Sequence, residues 1–192
     1  VAHDYKKNAL FNSWDEIVKN DGEYKEKNYT EINSIYKGEF KDGKPNGKGA
    51  IFYMKNQEKY LGEFVLSERQ GRGIYYFNDT NVFEGIFRKD KKVRGVLHGV
   101  DGDWYTGDFK DEVFHGQGKF YDRAKNTLYT GEFSKGVKEG QGITRFAYGG
   151  EYKGMHKNND FNGKGEFFVN GTLVSVSNYQ DGEKHGFGWF LL

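Results

Sequence analysis

The sequence predicts an all-β fold: an elongated antiparallel sheet of about seven stacked β-hairpins, preceded by a short N-terminal helix. Three observations predict it. One short unit recurs along most of the 192 residues at a nearly constant step. Inside each copy, aromatic or glycine positions alternate with charged ones, the period of a strand. Between the alternating stretches lie clusters of Asp, Asn, Gly and Lys, the chemistry of tight turns.

The unit is Tyr-x-Gly followed by Gly-x-Gly. Its first glycine falls at Gly38, Gly62, Gly85, Gly107, Gly131 and Gly154, in steps of 24, 23, 22, 24 and 23. The second element falls at Gly47/Gly49, Gly71/Gly73, Gly116/Gly118, Gly140/Gly142 and Gly163/Gly165; the third copy keeps only Gly95, and a seventh ends in Gly186/Gly188. The repeat claims 19 of the 28 glycines, so it is architecture rather than one catalytic motif. In YKGEFK, Tyr36, Gly38 and Phe40 share one strand face and Lys37, Glu39 and Lys41 the other. A strand glycine is costly unless something must approach closely there, and an aromatic ring laid over bare backbone fits that need. One hairpin is marginal in water, whereas stacked hairpins share aromatic rows.

Tyr36-Lys37-Gly38-Glu39-Phe40, Tyr60-Leu61-Gly62-Glu63-Phe64, Tyr105-Thr106-Gly107-Asp108-Phe109 and Tyr129-Thr130-Gly131-Glu132-Phe133 carry the full unit. These residues resemble the MORN repeat (membrane occupation and recognition nexus), over residues 36–192. The third copy departs with Phe83 and Ile86, the sixth with Met155 and His156, and the seventh is weaker still. The resemblance implies a twisted single antiparallel sheet and a non-enzymatic scaffold at membrane and cytoskeletal junctions. Such scaffolds bind extended partner segments or pair through terminal repeats. Residues 1–35 stand apart as a capping segment, with Leu10, Trp14, Ile17 and Val18 at helical spacing before Asn20-Asp21-Gly22.

Composition bounds the function. A net charge of +1 gives no field that would steer the chain to nucleic acid. The chain is polar, yet 18% aromatic with one Pro, unlike a disordered segment. No apolar run is long enough for a membrane span. The absence of Cys fits a reducing, cytoplasmic setting. No H-E-x-x-H, G-x-G-x-x-G or phosphate-loop pattern occurs. Residues 101–112 echo a calcium loop but place Thr106 where its glycine is required. No enzyme, metal or cofactor is expected.

Three candidate surfaces follow. Glu39, Glu63, Asp108 and Glu132 recur one repeat apart, roughly 10 Å. With Phe52, Tyr76 and Tyr121 they form a candidate groove for a basic-apolar partner segment. Alternatively, the acids satisfy nearby turn amides and lysines. Arg88, Lys89, Lys91, Lys92 and Arg94, in RKDKKVR, form a candidate patch for anionic lipid or an acidic partner. Tyr179, Phe187, Trp189 and Phe190 make the last repeat apolar, a candidate homodimer edge.

Overall fold

A computed structural model describes residues 25–190. The strands follow one another in an open antiparallel sheet whose hydrogen-bonded order is the order of the chain. The chain divides into two compact units between Val93 and Arg94, inside the seventh strand. The first unit holds β1 (Lys25–Tyr29), β2 (Ser34–Lys41), β3 (Lys44–Tyr53), β4 (Glu58–Val65), β5 (Glu68–Tyr76), β6 (Val82–Arg88) and the start of β7 (Lys91–His98). The second holds the rest of β7, then β8 (Trp104–Lys110), β9 (Val113–Asp122), β10 (Thr127–Ser134), β11 (Val137–Phe146), β12 (Gly150–Lys157), β13 (Asp160–Val169), β14 (Thr172–Gln180) and β15 (Glu183–Phe190).

Strand β1 was not expected. The helix that the sequence places at Leu10, Trp14, Ile17 and Val18 lies outside the described residues. The described part of the capping segment is a strand, which pairs with β2 from Lys25↔Gly38 to Tyr29↔Ser34. Only a single 3₁₀ turn, Thr30–Ile32, separates the two. The edge of the first hairpin is therefore covered by backbone pairing.

Inside each repeat the two strands are joined through two residues with positive φ, the geometry whose twist matches paired strands. Asp42/Gly43 and Asn158/Asn159 are favourable choices; Leu66/Ser67, with φ of 50° and 75°, is not. The second N–H of a turn also reaches back to the preceding hairpin: Ser67 N–H donates to the Pro45 carbonyl (2.9 Å), and Asn159 N–H to that of Lys138 (3.1 Å). Turn and sheet are thus stitched by the same backbone.

In each unit the core is a row of aromatic rings, mostly tyrosines, on one face of the sheet, here the first face. Tyr36, Tyr60, Tyr105, Tyr129 and Tyr152 are each buried. Each ring lies flat across its own strand glycine and the glycine paired with it: a methyl at Gly62 or Gly73 would occupy the Tyr60 ring. Each hydroxyl then donates to the carbonyl three residues on, Tyr36 to Glu39 (2.9 Å) and Tyr129 to Glu132 (2.9 Å). Burying such a ring contributes up to about 4–6 kcal/mol by area.

Within each unit the rings interlock edge to face. Tyr60 meets Phe64 at 5.2 Å and Phe87 at 4.9 Å; Tyr129 meets Phe133 at 5.1 Å and His156 at 4.7 Å. Each such pair adds about 0.5–1.5 kcal/mol. The residue two past each turn closes the layer from outside. Phe114 stacks on Tyr105 and Phe161 on Tyr152, both at 3.8 Å, while Arg69 and Lys138 lay cations over Tyr60 (5.7 Å) and Tyr129 (5.1 Å).

Candidate functional site

The opposite, second face is built differently. In the first unit its rows are set by register: Phe52↔Lys59↔Tyr76, then Ala50↔Leu61↔Ile74, then Lys48↔Glu63. The middle row is buried. Phe52 and Tyr76 pack against it one repeat apart, with Lys59 between them. The Lys59 ammonium sits 4.4 Å from the Tyr76 ring centre and 6.0 Å from that of Phe52. Burial lowers the Lys59 pKa and raises that of the Tyr76 hydroxyl.

The acids lie on the other margin. Glu63 lies four residue steps along β4 from Lys59, about 13 Å of strand. Each acid sits at a bulge where the first glycine of Gly-x-Gly has positive φ, such as Gly71 (68°) and Gly140 (75°). A side chain at either glycine would meet the Glu63 or Glu132 carboxylate. Glu63 accepts the Arg72 N–H and Glu132 the Gln141 N–H, both at 3.3 Å. Glu39 lies against Gly47 and Asp108 against Gly116 in the same way. Asp108 is also 3.7 Å from the Arg94 guanidinium. Within the first unit, the structure therefore groups Phe52 with Tyr76 but sets Glu63 apart from both.

In the second unit, Tyr121 stacks on Trp104 at 6.0 Å, and its hydroxyl donates to Asn126 (3.0 Å). Farther along the same face, Glu151 binds Arg145 (2.7 Å) and Lys153 (2.9 Å), which hold its carboxyl below the usual range. The Lys153 ammonium lies 4.3 Å from the Phe168 ring centre. Beside this network runs a groove of about 660 Å³. Its floor is bare backbone at Gly131, Gly142, Gly154 and Gly165; Thr130, Ile143, Lys153 and Glu166 stand on one side, Gln141, Met155 and Lys164 on the other. None of the groove's side chains is among the candidate surfaces read from the sequence, because they occupy the positions where the copies differ. Met155 stands where the complete copies carry the acid.

The basic run is not one surface. Arg88, Lys89 and Lys91 are exposed, but Lys92 is only 9% exposed, its ammonium 5.6 Å from the Phe83 ring centre and 5.0 Å from that of Phe77. It lies two residues past a turn, the position that covers the core row, so burial follows from place rather than charge. Arg94 belongs to the second unit and faces Asp108.

The last repeat also divides. Tyr179 is buried against Tyr152 (5.1 Å), in the slot that phenylalanine fills in complete repeats, and is core rather than edge. Phe187, Trp189 and Phe190 on β15 are exposed.

His156 fills the aromatic slot of the sixth repeat. It is 1% exposed, and its ring nitrogens are 3.1 Å from Thr144 Oγ1 and 3.2 Å from the Gly154 carbonyl. Burial pushes its pKa down to about 4. Among the described residues no cluster of His, Asp and Glu could hold a metal ion. In the calcium-like stretch, Asp103 accepts the Arg123 N–H (2.8 Å) and the Asp101 carbonyl takes its guanidinium (3.2 Å). No helix among the described residues is long and apolar enough to cross a membrane.

Alsin from Homo sapiens is 25% identical over 130 residues, covering 62% of this chain, and mouse Alsin is 24% identical over the same length. The chain spans about 8% of the length of these relatives. Among solved structures, the SAS-4 TCP domain of Drosophila melanogaster, in complex with a proline-rich motif, has TM-score 0.47 and 14% identity, covering 81% of this chain and 90% of its own. The TCP10 domain of Danio rerio CPAP, with a STIL peptide, has TM-score 0.39 and 12% identity, covering 79% of this chain and 71% of its own. The family model of the MORN repeat matches residues 36–52, 60–82, 83–104, 105–126, 129–151 and 177–192, passing over 152–176, which contributes half of the groove. These matches cover well over half of the sequence, and four of the six begin at a tyrosine of the first face: the chain belongs to the MORN repeat family.

Proposed function

We propose that this protein is a non-catalytic scaffold that holds a segment of a partner protein on its second face. The observation that carries the reading is the inequality of the two faces. The first is closed by its own tyrosines, phenylalanines and covering residues. The second presents half-buried aromatics one repeat apart in the first unit, and a glycine-floored groove in the second. Membership of the family agrees with a scaffold, and a junction of membrane and cytoskeleton is the setting that the MORN resemblance implies.

The test is a crosslink. A photoreactive residue in place of Lys153 should capture a stoichiometric partner segment from native extract; the same residue in place of Lys135, at a hairpin turn, should not. Equal capture at both sites would sink the reading.

A second reading rests on β15, where Phe187, Trp189 and Phe190 are 99%, 79% and 68% exposed. Two copies could bury these rings against each other. Scattering mass that doubles with concentration, and stays monomeric in Trp189→Ser, would support this reading; a constant monomer would remove it.

A further inference from the structure

We propose that Met155 is a redox modification site: a peroxide converts its thioether to the sulfoxide, and the new oxygen supplies the acceptor that the sixth copy lacks. The inference stands apart from partner binding. It rests on what complete copies place at the same position.

In those copies a tyrosine and an acid serve one bulge. Tyr60 donates to the Glu63 carbonyl (3.1 Å), and the Glu63 carboxylate accepts the N–H of Arg72 (3.3 Å), the residue after Gly71. Tyr129, Glu132 and Gln141 repeat both bonds, at 2.9 and 3.3 Å. The sixth copy keeps the backbone half of this arrangement. Tyr152 donates to the Met155 carbonyl (3.0 Å), and Gly163 has the positive φ of the bulge glycine, 64°. The side-chain half is missing. Lys164 follows Gly163 as Arg72 follows Gly71, yet no side chain among the described residues accepts its N–H. A thioether is only a weak acceptor.

The Met155 sulfur has turned instead to the strand before it. The Gln141 side-chain amide donates to it across 3.0 Å. Met155 is 39% exposed and lines the groove of the second unit, so a dissolved oxidant reaches the sulfur.

The step is an oxygen-atom transfer. A sulfur lone pair attacks one peroxide oxygen; the S–O bond forms as the O–O bond breaks. Sulfur is oxidised by two electrons, and the peroxide is reduced to water or an alcohol, which keeps the proton of the transferred hydroxyl. The product oxygen carries the negative end of a polarised S–O bond. It lies as many bonds from Cα as the carboxylate oxygens of Glu63 and Glu132. The Gln141 amide already faces it from one side, and the Lys164 N–H holds the place that the Arg72 and Gln141 N–H groups hold beside their acids. Methionine oxidation ordinarily disrupts packing. Here it completes the bulge, and it turns an apolar part of the groove wall polar.

The experiment uses the full chain carrying Met54→Leu, which leaves Met155 as its one methionine. Hydrogen peroxide is the probe, and intact mass shows when a single oxygen has been gained. The oxidised protein should have a urea midpoint about 0.3–1 M above that of the reduced protein. In nitrogen-15 spectra the Gln141 side-chain amide proton should move downfield. Methionine sulfoxide reductases should reverse both changes. Met155→Gln, whose amide oxygen has the same reach, should show the raised midpoint without peroxide, and Met155→Leu should not respond to peroxide. An oxidised midpoint equal to or below the reduced one would overturn the proposal, and so would a Gln141 amide that does not move. Failure of Met155 to oxidise at peroxide levels that convert free methionine would overturn it as well.

Discussion

The Tyr60 hydroxyl donates to the carbonyl of Glu63, 3.1 Å away, from a ring lying across Gly62 and Gly73. The Glu63 side chain meanwhile accepts the Arg72 N–H on the neighbouring strand. Tyrosine, glycine and acid are therefore one device: the glycines admit the ring, the ring satisfies the bulge carbonyl, and the acid satisfies the bulge amide.

Gly73→Ala tests the close approach. The added methyl would meet the Tyr60 ring, and relief requires moving a fully buried side chain. We expect a loss of about 1–3 kcal/mol in urea unfolding. Gly43→Ala makes a useful contrast: nothing lies near its Cβ, so its loss reflects backbone strain alone, at a φ of 72°.

Tyr129→Phe keeps the ring and removes the bond to the Glu132 carbonyl. The expected loss is about 0.5–1.5 kcal/mol. Tyr129→Ala should cost about 3–5 kcal/mol. Phe83 already occupies this position in the third repeat, so the ring alone can build the row.

Glu63→Ala and Glu132→Ala should each lower stability by about 0.5–1.5 kcal/mol, because a backbone donor at the bulge loses its acceptor. Unfolding curves of the single and double variants check this. Unchanged stability would show that water replaces the carboxylates at no cost.

His156 confers a pH dependence. Its folded pKa is about 4 and its ordinary value 6.5, so the folded state favours the neutral ring. Below about 6.5 the unfolded chain takes up the proton first. The stabilisation from the neutral buried ring is complete above that pH and is lost as pH falls toward 4. Its size is on the order of 3 kcal/mol. His156→Phe should flatten the stability profile between pH 6.5 and 4, measured by thermal unfolding at fixed salt.

Ser67→Gly should stabilise. Ser67 has a φ of 75° beside Leu66 at 50°, where an ordinary residue costs about 1–2 kcal/mol. Relief of roughly 1 kcal/mol is expected, read as a higher urea midpoint.

The hairpins and the ring-over-glycine layer were legible in the sequence because Tyr36, Gly38 and Gly49 recur at fixed spacing, and spacing fixes face. The covering layer was not. Arg69, Lys92, Phe114, Lys138 and Phe161 occupy one structural position with three different chemistries. Read as composition, Lys92 joins a basic run; read as place, it closes a core. His156 was opaque for the same reason, since its slot asks for a flat ring rather than a particular residue. The groove at Lys153, Met155 and Glu166 lies where the copies diverge, and a pattern of repeats carries least information there.

The paired glycines also guard against misassembly. Neighbouring hairpins of similar sequence invite strands to pair out of step. The bare backbone under Tyr60 exists at one alignment only, Gly62 opposite Gly73. A two-residue slip of β5 against β4 would keep the facial alternation. It would nonetheless put Tyr75 or Gly71 where Gly73 belongs, so the ring would meet a bulky side chain or the bulge. The column of glycines thus works as a keyway: within a strand pair, only one register lets the tyrosine lie down.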